Sequence, residues 1–173
     1  MANGRNVPRK IIVHHTADAS LAPQFEKVNA YHRAKWNLKS VTGSFVGYHW
    51  FIERDGSVYQ ARAEEEEGAH CLGHNRGSIG IGLAGDFSVD LPTASQRLSM
   101  VKIIDQAVKI WQIHPAAIFP HRAFRPTSCY GLRLSDRWAR QEYDAYLHAT
   151  LSHLLTILKA VLEQLLNYVS RKA

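Results

Sequence analysis

The period of the apolar positions changes several times along the chain, and each change marks an element. Residues 9–15, RKIIVHH, form a short β-branched run after Pro8 and predict a buried strand ending at His14 and His15. Extended geometry sends those two side chains to opposite faces. In APQFEKVNAYHRAKW the spacing becomes helical through Phe25, Val28, Tyr31 and His32. GYHWFIERDGSVYQAR reads as a hairpin turning at Asp55-Gly56. A polar loop, EEEEGAHCLGHNRGS, leads into the glycine-punctuated strand SIGIGLAGDF. Glycine inside a strand signals close approach of a ligand or another backbone. TASQRLSMVKIIDQAVKIWQI predicts a helix with Thr93 as its cap, and AIFPH a short strand. Strands interspersed with helices predict an α/β layer architecture.

From about Ser135 the spacing is helical and stays so. Leu147, Leu151, Leu154, Leu158, Val161, Leu165 and Tyr168 recur at steps of three and four, and Leu155, Leu162, Leu166 and Val169 widen the stripe. The expectation is an amphipathic helix, long for a globular protein, forming an extension over 151–173 behind a main domain over 1–150. Three roles are open for the stripe: covering the domain's core, a self-association seam, or contact with a membrane or cell envelope, to which the basic end SRKA points.

The chain has 173 residues, enough for one domain with an appendage and for a core that needs no staple. Its formal net charge is +6, which suits anionic surroundings: nucleic acid, a membrane or an acidic cell-wall polymer. No basic run with interleaved aromatics appears, so nucleic acid is not an expected partner. Two cysteines do not make a disulfide framework, and Cys71 is expected to be a free thiol. The N-terminus, MANGRNVPRKIIVHH, has no apolar core of signal-peptide length, and no stretch is expected to reach the ~18 apolar residues of a membrane span. The expectation is synthesis in the cytoplasm; action outside would need another way out.

Three residues among ten histidines and two cysteines stand at places suited to chemistry. His14 ends a buried strand, His121 follows another, and Cys129 follows His121 after a loop restrained by Pro126. Two imidazoles and a thiolate make a three-ligand zinc set with a fourth position for water. The spacing alone leaves alternatives: a buried Cys beside a surface His, or a Cys129 nucleophile with His121 as its base. No glycine-rich nucleophile turn lies near Cys129.

IIVHHTAD, GYHWFIERDGSVYQAR, GAHCLGHNRGSIGIGLAGDF and HRAFRPTSC occur in this order over roughly residues 9–140. Together they resemble the zinc-dependent N-acetylmuramoyl-L-alanine amidase family, which includes phage lysozyme-type amidases and peptidoglycan recognition proteins. The resemblance implies a mixed central β-sheet flanked by helices, and one Zn²⁺ held by His14, His121 and Cys129. It implies that Tyr48 contacts the reacting water or the substrate carbonyl. Thr127 falls where phage enzymes often have Lys and recognition-protein amidases often have Thr; a Thr donates only a hydrogen bond to the developing oxyanion. His70, Asn75 and SIGIG lie where the family lines its substrate groove. Tyr130 stands where the family commonly has Pro.

The activity so implied is cleavage of the amide between the lactyl group of N-acetylmuramic acid and L-alanine in peptidoglycan, by a phage or prophage endolysin. A cytoplasmic amidase recycling small muropeptides and a non-catalytic peptidoglycan-binding module are the alternatives; the presence of Cys129 argues for an enzyme. The acidic run Glu64 to Glu67 reads as a solvated loop, or as a site for basic groups of the stem peptide.

Overall fold

A computed structural model of the chain describes residues 5–172. Strands β1 (Lys10–His15), β2 (Trp50–Ile52), β3 (Val58–Gln60), β4 (Ser78–Leu83) and β5 (Ile118–Pro120) form one sheet in the order β3-β2-β4-β1-β5. β2, β4, β1 and β5 run parallel; only β3 is antiparallel, as the second arm of the hairpin with β2. The central strands β1 and β4 are buried almost throughout, because helices cover both faces.

Alternation along β1 divides the molecule. Ile11 and Val13 join Ile79, Ile81 and Leu83 in the main core, beneath helix α2 (Ala94–Trp111) and the start of helix α3 (Trp138–Ser170). Ile12 and His14 face the other way, toward helix α1 (Phe25–Trp36), whose Phe25 ring packs on Phe51 and Tyr59. The α2 start was legible: Thr93 and Gln96 form a reciprocal capping box. The α/β architecture and the mixed sheet agree with the sequence reading.

Helix α3 matches the helical spacing expected from about Ser135. It begins at Trp138, inside the packed body, and runs unbroken past residue 151. Its first turns bury Trp138, Ala139 and Tyr143, but from Leu147 every described residue is exposed. The stripe therefore does not cover this domain's core. The exposed part, 147–170, extends for about 36 Å at 1.5 Å per residue. The helix is also long and apolar enough to cross a membrane, with an 18-residue window of mean hydropathy 1.3. This corrects the expectation that no stretch is long and apolar enough: scattered Ser, Thr and Gln, with Lys159 and Glu163, interrupt the apolar positions without lowering the average far.

Candidate metal centre

His14 is the penultimate residue of β1, and His121 opens the short 3-10 turn that follows β5. β1 and β5 are parallel neighbours, so their carboxyl ends bring both rings to one edge, with centroids 4.5 Å apart. The loop after His121 folds back and adds Cys129. Arg122 ties this loop down: its side chain bonds Asp136 and the carbonyls of Gly131 and Leu134, and its backbone N–H reaches the Cys129 carbonyl. Sequence reasoning gave Arg122 no role; its place directly after a candidate ligand was the available signal.

One donor atom from each of His14, His121 and Cys129 lies within 4.8 Å of the others, and His14 Nδ1 is 3.8 Å from Cys129 Sγ. Tetrahedral zinc, with bonds of about 2.0–2.3 Å, separates its ligand atoms by roughly 3.3–3.8 Å. The donor set therefore fits that ion with only a small closing movement. His14 and Cys129 are buried and His121 is half-buried, so the group opens toward solvent on one side.

The surroundings keep the two candidate histidine ligands neutral, the state a metal ligand needs. His14 Nε2 lies 3.0 Å from His70 Nδ1, and His70 Nε2 lies 3.3 Å from Ser78 Oγ. With Nδ1 of His14 left to the metal, Nε2–H donates to His70, whose own Nε2–H is then directed at Ser78. Burial, followed by neighbouring histidines, holds His14 and His70 well below the ordinary histidine range, so both rings stay neutral. Burial and then Arg125 lower His121 as well. Burial pushes the Cys129 thiol up to about 12, while the His15 N–H, 3.4 Å from Sγ, favours the thiolate. His15 itself points to the opposite face, where its Nδ1 accepts from the Phe87 N–H.

Tyr48 packs beside this group, its ring 5.1 Å from that of His14. It fits because β4 has glycine at two positions of the same face. A Cβ on Gly82 would lie 2.5 Å from Tyr48 Cδ2, and one on Gly80 would lie 2.5 Å from His70 Cδ2. The close approach expected at SIGIG is thus made by two aromatic rings. Burial raises the Tyr48 hydroxyl above the usual phenol range, so it remains a donor. Thr127 is exposed, and its Oγ1 accepts from the Cys129 N–H at 3.3 Å.

His70, expected on the groove wall, is instead buried behind His14, because the bare face of Gly80 lets its ring sink against β4. Asn75 is half-exposed and organises the turn beneath, accepting the N–H groups of His70 and Cys71 at 2.9 and 2.7 Å. A cleft of about 570 Å³ adjoins Tyr48, lined by Thr16, Asp18, Lys27, Tyr31 and His32 among others. Of these, only Tyr31 and His32 figure in the sequence reading, as part of the helical spacing of α1. The acidic run is not a uniformly solvated loop either. Glu64 is buried and accepts the indole N–H of Trp50 at 2.7 Å and that of Trp111. Cys71 is free, as expected, and buried.

The comparisons with known proteins agree with this geometry. The family model described as N-acetylmuramoyl-L-alanine amidase matches residues 3–132. Peptidoglycan-recognition protein SC2 of Drosophila melanogaster is 30% identical over 130 residues, covering 71% of this chain and 68% of its own length. The N-acetylmuramoyl-L-alanine amidase of Homo sapiens is 31% identical over 131 residues, which are 73% of this chain and 23% of that protein. Among solved structures, the endolysine N-acetylmuramoyl-L-alanine amidase LysCS from Clostridium intestinale URNW aligns with a TM-score of 0.67 and 28% identity, over 83% of this chain and 85% of that one. Since the matched segment contains all five strands and all three candidate ligands, the chain belongs to the N-acetylmuramoyl-L-alanine amidase family.

Proposed function

We propose that the protein is a zinc amidase that hydrolyses the bond between the lactyl group of N-acetylmuramic acid and L-alanine in peptidoglycan. In this reading it is a phage or prophage endolysin, made in the cytoplasm and acting on the wall after release, with its exposed C-terminal helix as an envelope contact. The convergence of the His14, His121 and Cys129 donor atoms within 4.8 Å carries the enzymatic reading, since a module that only binds needs no such set. The likeness to an endolysin and the net charge of +6 support the wall-directed role.

A zinc ion held there would lower the pKa of a water molecule toward neutrality and polarise the scissile carbonyl. The chain's own residues do the rest. His70 keeps the His14 ring in one tautomer and orientation. The protonated Tyr48 hydroxyl donates to the attacking water or to the oxyanion of the tetrahedral intermediate. Thr127 adds a neutral hydrogen bond from the exposed side, weaker than a charged donor. The cleft beside Tyr48 receives the stem peptide.

The test compares wild type with Cys129→Ala for bound zinc and for new alanine amino ends released from purified peptidoglycan. Wild type should hold about one zinc and free alanine, and the variant should lose both. Zinc without alanine release would make the protein a wall-binding module. Cleavage without metal would return Cys129 to the role of nucleophile. Release from soluble muropeptides but not from intact sacculi would favour the recycling amidase.

A further inference from the structure

The distal half of α3 leaves a large apolar surface with nothing among the described residues to cover it. At about 100° per residue, Leu151, Leu154, Leu158, Leu162, Leu165 and Val169 fall within a narrow arc, and their neighbours widen it to roughly half the circumference. Each of these six is 50–63% exposed. A contiguous patch of this kind marks an interaction surface. From this we infer that residues 147–170 bind the surface of an anionic phospholipid bilayer, lying in its plane with the leucine arc in the acyl boundary. The inference rests on the reading of this helix as the envelope contact and specifies its partner and geometry.

Three observations favour lipid over a second copy of the chain. First, positions flanking the Leu151–Leu154–Leu158 seam hold Leu155 and Leu162 on one side and Thr150, Ile157 and Gln164 on the other. Complementary charges at such positions set partner choice and direction in a helix pair, and none of these five residues is charged. Second, the hydroxyl of Thr150, at the edge of the apolar arc, donates to the Tyr146 carbonyl at 2.8 Å. That donor therefore needs no water, which is the condition for a hydroxyl to enter a lipid boundary. Third, Lys159 and Glu163 balance one another within 147–170 and Arg171 and Lys172 follow directly at its end, a basic terminus that suits an anionic surface.

The charges also choose the orientation. Lys159 and Glu163 sit mid-segment on the polar arc. A spanning helix would carry both near the bilayer centre, where a charge is expensive; in the plane of the surface both stay in water.

The full-length, metal-loaded protein would be sedimented with vesicles of phosphatidylcholine alone and of phosphatidylcholine with phosphatidylglycerol. Leu151→Glu/Leu158→Glu is the control; both positions are exposed, and circular dichroism checks its fold. Wild type should bind the anionic vesicles at least tenfold more tightly than the neutral ones, and the double variant should lose at least tenfold. Alkaline carbonate should extract the bound protein. Equal sedimentation of wild type and variant would overturn the inference, as would resistance to carbonate, which would mean a spanning helix. So would a lipid-free oligomer by analytical ultracentrifugation that the double variant dissociates while vesicles capture neither form. Hydrolysis of soluble muropeptides, read on the same samples, should not differ between the two. A failure of the amidase reading would appear in that assay and leave the vesicle result standing.

Discussion

The packed body and the distal part of α3 obey the same local rules and meet opposite fates. In the body, Trp138, Ala139 and Tyr143 on the first turns of α3 enter the core beneath the sheet, and the Tyr143 hydroxyl reaches Asp105. A few turns later, leucines with the same spacing face solvent. At the candidate metal centre even the polar groups are provided for: His14 leans on His70, His70 on Ser78, and the Cys129 sulfur receives a backbone N–H. Periodicity therefore announces a helix and an apolar face, but only the neighbouring elements decide whether that face is already satisfied. The two regions should respond to mutation independently.

The largest effect expected is on the chemistry. Cys129→Ala should abolish stoichiometric zinc and lower alanine release by roughly 10³-fold or more, since a Lewis acid is worth several kcal/mol at the transition state. Its vesicle binding should equal wild type's; a parallel loss would show the regions to be coupled. Next, Tyr143→Ala should cost about 3 kcal/mol in urea unfolding, as the loss of a buried aromatic does. His70→Ala should weaken zinc binding by about 10–100-fold in chelator competition, with His70→Asn, which retains an acceptor, recovering part of the loss.

A smaller effect follows from the thiol. Because burial raises the metal-free Cys129 thiol to about 12, zinc must displace a proton from it at neutral pH. Apparent zinc affinity should therefore rise about tenfold per pH unit through the neutral range. His14 and His121 are already neutral there and add no slope. A flat profile would show that the thiol is ionised before metal arrives. The smallest effect belongs to the distal helix: Leu158→Ala should change unfolding free energy by no more than about 0.5 kcal/mol, because the side chain touches no core. A cost as large as that of Tyr143→Ala would mean that the helix docks in solution and would erase the contrast between the regions.

Much was legible before any coordinates. The β-branched run at Ile11–Val13, the Asp55-Gly56 turn and the Thr93 cap work through their immediate neighbours, so local sequence determined β1, the hairpin and the α2 start. The chemistry of His14, His121 and Cys129 could be suspected from residue type and position alone. Tertiary structure decided what depends on distant segments. It placed His70 behind His14, because Gly80 on a neighbouring strand has no side chain to keep its ring out. It turned Glu64 from one member of an acidic run into the shared acceptor of two indoles. It also left the distal leucines bare, because α2 and the sheet end before α3 does; an apolar stripe records that something must cover it, while the packing of other elements determines whether that cover lies within the chain.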